Sequence, residues 1–448
     1  MFQSLKRIDD RTLAFTLSPT RVTYANTLRR AVQTEVSILG FRSDITETGS
    51  TSDVKVLKNT TPISNEMLAD RVGLLPLWSD VFAAEANWDK EKILFKLHVK
   101  NESDQVRNVV AADFECLERN EDSTGEPRRI PNTKFFHPDP ITTETPILLV
   151  LKPQLEGQAP EEVHLEAYAS FGKGREHTRF NPASQCAYRY SLDTSEERIM
   201  ALWAAWLRDQ KKVDPKDLEQ QPDRKAVLER EFRTLEIYRC YLQDGDGEPM
   251  SYDFTVETVG PLTPQKIVGD ALLAVAALAD KYAGDLPDSV DIRPADWASP
   301  VGFDFWFTNE DHTLGNLLQT WISDHAADVF VGYKVPHPLR PEMVLRLGVK
   351  EESVARDLIA EAAMGIADMF RTWYEEWART LVEERIVSPK SPEFAPGPIA
   401  NVAPGLPWKA HEAARVAAEA AAAAAPAAAA RTQAAKTPVQ RGQTKSKV

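Results

Sequence analysis

The chain has 448 residues, 43% of them hydrophobic and 27% charged, the balance of a globular protein with about three domains at roughly 150 residues each. Its 53 Lys and Arg against 67 Asp and Glu give a formal net charge of -14, which disfavours a broad phosphate-facing surface because such surfaces need clustered cations. The distribution is uneven: Lys409 to Val448 carries seven Lys/Arg and two Glu, so any nucleic-acid contact made by the chain alone is expected there.

Cys116, Cys186 and Cys240 lie far apart without a C-x-x-C pair, which excludes a four-cysteine zinc site and a disulfide framework and fits a reducing compartment. Lys6 and Arg7 are followed by charged residues, and apolar stretches such as Ala271 to Ala279 are too short to span a bilayer. A soluble, intracellular chain without a signal peptide and without a membrane partner is expected.

In chain order, Ser18-Pro19 has the form of a helix N-cap followed by proline at the first helical position. Val22, Ala25, Leu28, Val32 and Val36 then recur at three- and four-residue steps and form one apolar stripe, with Arg29 and Arg30 beside it. Ile45 to Leu57 reads as strand-like and turn-rich, and a short helix from Asn65 to Val72 ends at Gly73. Trp88 to Leu151 reads mostly as β, with alternation at Ile93, Phe95, Leu97 and Val99. Leu192 to Phe232 has ten Asp/Glu and eight Lys/Arg around Trp203, Trp206 and Leu207, the pattern of a solvated helical face. Two β runs, Arg233 to Leu242 and Ser251 to Val259, are joined by the hairpin signal Asp244-Gly245-Asp246-Gly247. Thr263-Pro264 opens a helix with a stripe at Ile267, Ala271, Val275, Leu278 and Tyr282, closed by Gly284.

The segment from Asp285 to Pro300 contains Pro287, Pro294 and Pro300, shows no period and reads as a linker. Beyond it the opening plan returns. A β run at Phe303 to Phe307 precedes a helix with Leu314, Leu317, Leu318, Trp321 and Ile322 on one face. Strand signals at Phe330 to Val335 and Met343 to Val349 lead to a long helix from about Glu351 to Ile386. Its stripe runs through Val354, Leu358, Ala362, Ile366, Phe370, Trp373, Trp377 and Leu381. Past Pro389 proline and then alanine dominate, and the tail has no core to offset its ordering entropy.

No catalytic constellation emerges. Asp244-Gly245-Asp246-Gly247-Glu248 could hold a divalent cation, but an EF-hand loop from Asp244 needs Glu at its twelfth position, which is Thr255, so a turn is expected. Gly172-Lys173-Gly174 lacks phosphate-loop spacing, and neither H-E-x-x-H nor G-x-S-x-G occurs. His137, His177 and His312 have no second ligand at metal spacing and read as structural. No cofactor is expected.

The specific signal is a set of segments. Ala25-Asn26-Thr27-Leu28-Arg29-Arg30-Ala31-Val32, Thr61-Pro62-Ile63-Ser64-Asn65-Glu66-Met67-Leu68, Arg71-Val72-Gly73-Leu74-Leu75-Pro76-Leu77, Gly174-Arg175-Glu176-His177-Thr178-Arg179-Phe180-Asn181-Pro182 and Phe254 to Pro264 resemble the third-largest subunit of eukaryotic RNA polymerase II. Its archaeal D-type equivalent and the bacterial alpha N-terminal domain belong to that family. Glu310-Asp311-His312-Thr313-Leu314-Gly315-Asn316-Leu317-Leu318 and Gly332-Tyr333-Lys334-Val335-Pro336-His337-Pro338-Leu339 resemble its partner, the eleventh subunit or its archaeal L-type equivalent. The resemblance spans roughly Met1 to Ile386. It departs from the family in joining the two subunits, an arrangement similar to that in some large nucleocytoplasmic DNA viruses, and in a long 192–232 region.

The resemblance implies an α+β fold in which two related alpha-type dimerisation units pack as an intramolecular pseudo-heterodimer. The expected organisation is a first unit at 1–45 and 180–285 carrying a mostly β insert at 46–179, a linker at 286–300, a second unit at 301–388, and a disordered Ala/Pro-rich basic tail at 389–448. The dimerisation interface is expected at Val22, Ala25, Leu28, Val32, Val36, Leu314, Leu317, Leu318 and Trp321. Arg29, Arg30, Asn65, Glu66 and Arg71 are the expected large-subunit contacts, although arginines beside such a helix can equally form structural ion pairs. The implied role is a non-catalytic platform for the largest and second-largest polymerase subunits, with a small zinc-binding subunit nearby and DNA met only through the complex. Some relatives bind a metal through cysteines of the insert; only Cys116 falls there, so no metal is expected. The implied location is the host nucleus or cytoplasm, with the virion as a further site. A free-standing nucleic-acid adaptor acting through the basic tail stays open as an alternative, whereas an enzyme has no supporting site.

Overall fold

The computed structural model describes residues 1–43, 53–78, 88–119, 127–215, 217–296 and 301–388. The expected strand at Ile45 to Leu57 lies outside them up to residue 52, and so do the end of the expected linker and the tail from 389.

Two units share one plan. In the first, β1 (Phe2–Arg7), β2 (Thr12–Leu17), β13 (Tyr252–Thr258) and β12 (Ala183–Tyr190) form an antiparallel sheet in the order β1-β2-β13-β12. Its helices are α1 (Val22–Thr34), which follows β2, and α5 (Pro264–Asp280), which follows β13. In the second, β14 (Val290–Pro294), β15 (Phe303–Thr308), β17 (Glu342–Gly348) and β16 (Phe330–Lys334) form a sheet in the order β14-β15-β17-β16. Here α6 (His312–His325) follows β15 and α7 (Glu352–Glu383) follows β17. The two sheets correspond strand for strand.

That correspondence corrects the linker. Residues 290–294 are β14, the counterpart of β1, paired with β15 from Val290↔Phe307 to Pro294↔Phe303. An edge strand tolerates proline because one side of it needs no N–H, so Pro294 at the strand end hides the signal without preventing pairing. A second correction concerns Arg233 to Leu242, expected as a strand. There α4 (Pro222–Thr234) runs on into a 3₁₀ turn, Glu236–Arg239, and only isolated bridges, Leu192↔Tyr241 and Gln243↔Pro249, follow. The β-favouring residues Leu235 and Tyr238 point to solvent instead of a sheet, and the place beside β13 is taken by β12. The turn itself forms: Asp244 Oδ1 accepts from the Asp246 and Glu248 N–H groups, both at 2.9 Å.

Between β2 and β12 the chain makes a mostly β body. β4 (Val54–Asn59), β10 (Glu162–Tyr168), β5 (Ile93–Lys100), β7 (Glu115–Glu118) and β8 (Arg128–Ile130) form its main sheet. Ile93, Phe95, Leu97 and Val99 turn inward, as their alternation predicts. α2 (Asn65–Gly73) packs on it beside β9 (Ile147–Leu151), which pairs with β6 (Arg107–Val110). The body joins the first unit through β3 (Ser37–Gly40) and β11 (Ser170–Lys173). The charged 192–232 region is helical as expected: α3 (Glu196–Trp206) and α4 enclose a small core of Trp206, Leu207, Leu218, Leu228 and Phe232.

Two helix readings shift by small steps. α1 begins at Val22 with Arg21, not Ser18, as its N-cap residue. In α7 the buried face starts at Ala355 and Ile359, while Val354 is exposed; from Ala362 onward the expected stripe is buried. Gly365 on that face lets the Trp321 ring of α6 lie against α7, since a Cβ there would come within 2.4 Å of the ring. A Gly365→Ala change gains about 1 kcal/mol of helix propensity but overpacks this contact at a cost of roughly 1–3 kcal/mol. The urea unfolding midpoint should therefore fall; a rise would contradict the packing.

Candidate assembly interface

The apolar faces of α1 and α6 meet. Ala25, Leu28, Val32 and Val36 from the first unit and Leu314, Leu317, Leu318 and Trp321 from the second belong to one continuous core, together with α5 and α7 residues. Val22, expected in this set, is 37% exposed and lies off the buried face. The helix turns it away, because Thr23, Tyr24 and Thr27 take the inward positions. Residues without an expected role complete the seam. Trp377 of α7 packs against Phe2 and Phe15, with ring centroids 4.9 and 5.0 Å away, and its indole N–H donates to the Gln265 carbonyl at 3.0 Å. The aromatic stripe of α7 is legible in the sequence, but its partners are remote in sequence and leave no signal.

Polar groups pin the same seam. Thr23 Oγ1 and Thr320 Oγ1 are 3.0 Å apart, and Arg21 meets Asp324 at 3.0 Å. At the other end Asp311 caps α6 by accepting from the Thr313 N–H at 2.7 Å. Arg30 reaches across to this cap, donating from Nε to Thr313 Oγ1 at 2.8 Å and from Nη2 to Asp311 Oδ2 at 3.1 Å. Arg175 sits between Glu35 at 2.7 Å and Asp311 at 3.6 Å and also donates to the Asn309 carbonyl. Gly174 permits this, because a Cβ there would come 2.0 Å from the Gln33 carbonyl oxygen at the end of α1. Burial alone would raise the Asp311 carboxyl, but the Thr313 N–H and the two arginines hold it below its usual range.

Glu310 is the member of this cluster whose burial is only partly compensated. It is 5% exposed; Oε1 accepts from the Tyr282 hydroxyl at 3.0 Å and lies 3.6 Å from Lys281 Nζ, while Oε2 has no hydrogen-bond partner among the described residues. Burial pushes its pKa up, against the opposing pull of Lys281 and the Tyr282 hydroxyl.

The expected large-subunit residues divide. Arg30 is consumed by the seam, and Arg71 by the insert, where it donates to the Leu148 and Ile147 carbonyls. Arg29 donates only within its own helix, to Asn26 Oδ1 at 3.0 Å and Gln33 Oε1 at 3.1 Å, and no described carboxylate pairs with it. Asn65 bonds Asn59, Glu66 is exposed, and beside them Met67 and Leu74 are 61% and 64% exposed. Cys116 and Cys186 are buried thiols, each pushed up to about 12 by burial. His98 stacks on His164 across β5 and β10 at 4.7 Å, a pairing invisible in the sequence. Among the described residues no group of three or more His, Cys, Asp or Glu could hold a metal ion, and no helix is long and apolar enough to cross a membrane.

Residues 303–376, covering the second sheet from β15 with α6 and most of α7, match the family model of the RNA polymerase Rpb3/Rpb11 dimerisation domain. The rpc19 subunit of DNA-directed RNA polymerases I and III from Dictyostelium discoideum is 30% identical over 25% of this chain and 97% of its own length. The chain belongs to the Rpb3/Rpb11 family of DNA-directed RNA polymerase subunits. It is similar to both kinds of member: the Rpo3 subunit of Methanothermobacter thermautotrophicus is 27% identical over 62% of this chain and 95% of its own length, and the RPB11 subunit of Schizosaccharomyces pombe is 39% identical over 13% of this chain and 46% of its own length.

A seam with a buried carboxylate should carry a pH signature. Because the folded pKa of Glu310 lies above its ordinary value, its favourable contribution is complete below the ordinary carboxylate range and is lost as pH rises through the folded pKa. Glu310→Gln should thus match the wild type in acid and gain on it towards neutral pH, read as the difference in unfolding free energy across the pH range. A gap that closes or reverses with rising pH would contradict the assignment.

Proposed function

We propose that this chain is a non-catalytic assembly platform of a multisubunit DNA-directed RNA polymerase. In it the counterparts of two subunits are joined and pair within one chain as a pseudo-heterodimer about a pseudo-twofold axis. The observation that carries this reading is the repeated plan: two sheets of the same strand order place α1 and α6 in one shared core. Joining the units makes their encounter intramolecular, at an effective concentration in roughly the millimolar range for a short connection. The partners are the largest and second-largest polymerase subunits and a small zinc-binding subunit, with DNA met through the complex.

Arg29 and the α2 surface form the face for the large subunits. Met67 and Leu74 supply exposed apolar area beside Asn65 and Glu66, the composition expected of a docking patch with a polar rim. Arg30 and Arg71 act as positioning residues, one fixing the seam and the other the insert.

Affinity purification of the tagged chain from its native source should bring down two polypeptides, each far larger than this chain. Their absence would reject the platform. Met67→Asp should weaken that recovery by roughly tenfold or more, the effect of about 1.4 kcal/mol at a docking contact. The variant's own melting temperature should stay close to the wild type's, because the side chain is exposed.

A further inference from the structure

Among the described residues the first unit's sheet ends at β12, and a groove of about 700 Å³ follows that end. Five consecutive strand residues, Cys186 to Tyr190, line it with Arg29 of α1 and Tyr238. Neighbouring strand residues point to opposite faces, so such a run lines a groove only along a strand's edge. The Ser191 N–H donates to the Ser251 carbonyl at 2.9 Å on the β13 side. By the alternation of an antiparallel ladder, the N–H and C=O groups of Cys186, Tyr188 and Tyr190 therefore face the groove.

The second unit shows the closed form of the same feature. Thr313-Leu314 and Gln319-Thr320 repeat Thr27-Leu28 and Gln33-Thr34 at the same spacing, which makes Gly315 the counterpart of Arg29. Tyr188 pairs with Phe254, which pairs with Phe15; Tyr333 pairs with Leu345, which pairs with Phe305. Tyr333 is thus the counterpart of Tyr188. Its ring covers Gly315, where a Cβ would come within 2.4 Å, and its N–H donates to Gln319 Oε1 at 3.2 Å. In the first unit Gln33 is held by Arg29 instead, and no described residue bonds the Tyr188 N–H.

We propose that the open edge of β12 takes an extended, acidic segment of the large polymerase subunit that faces Arg29, docked as an added strand. This rests on the platform reading. The segment's backbone bonds Cys186, Tyr188 and Tyr190, one of its carboxylates meets the unpaired Arg29, and its side chains lie against Tyr190 and Tyr238. Arg189 beside the groove is paired with Asp253 at 3.5 Å, which leaves Arg29 as the cation that faces the segment. Charge argues against the chain's own Lys409 to Val448, whose seven Lys/Arg and two Glu would be repelled by Arg29.

The test is amide hydrogen exchange, resolved to single residues, on the full chain alone and in the purified polymerase. On assembly, exchange at Cys186, Tyr188 and Tyr190 should slow by roughly tenfold or more, while Ala187 and Arg189, already facing β13, change little. Arg29→Glu should cut large-subunit recovery by roughly tenfold or more without lowering the free chain's melting temperature, and Arg29→Lys should restore part of it. Protection that is absent, or uniform along the strand, in an intact polymerase overturns the strand-addition inference and leaves the platform standing. Truncation before Lys409 that exposes the edge in the free chain would show the tail to be its occupant and also overturns it. If no large subunit accompanies the chain, the platform fails and this inference falls with it.

Discussion

Each of the two sheets carries a helix whose apolar face the sheet itself cannot cover, and that constraint organises the rest of the molecule. Leu28 and Val32 in one helix, and Leu314, Leu317 and Leu318 in the other, are buried in a single core that neither unit contains alone. Exposed separately, such faces would form apolar patches larger than soluble surfaces tolerate. Mutual burial is non-directional, and the polar groups around it supply direction. Thr23 to Thr320, Arg21 to Asp324 and the Arg30–Asp311 cap fix both ends of the crossing.

Charge use within the seam separates arginines that hold the fold from one that is left open. A half-buried cation needs a partner, and Arg30 and Arg175 each have a carboxylate. Among the described residues Arg29 has only neutral partners, both on its own helix. On the proposed platform, this difference marks where a second polypeptide completes the electrostatics, while the burial of Glu310 is only partly offset by Lys281 and Tyr282.

Much of the fold is legible in the sequence because its signals are local. The stripes at Ala25 to Val36 and Leu314 to Ile322, the alternation at Ile93 to Val99 and the Thr263-Pro264 cap are all set by neighbours in sequence. Sequence reasoning fails where pairing, not propensity, decides. β14 hides among prolines because an edge strand with one well-buried residue, Val290, has almost no period. Arg233 to Leu242 has strand-forming residues but no strand to join, since β12 already flanks β13. Within the site, the motif containing Arg175 stands out in the sequence without a role, because its partners Glu35 and Asp311 come from different units. The edge of β12, which no described strand joins, is not legible at all, being a property of sheet order alone.

The central claim is that the seam, and not the chain connection, holds the two units together. A protease site inserted after the exposed Gly284 would cut the chain before β14 and leave each sheet whole. An apolar interface of this kind, burying roughly 2,000 Å² or more, should keep the cut halves co-eluting in size exclusion. The same cut in Leu28→Asp or Leu317→Asp, each burying an unpaired carboxylate at a cost of several kcal/mol, should separate or aggregate them. Wild-type halves that elute apart, or mutant halves that stay paired, would contradict the account.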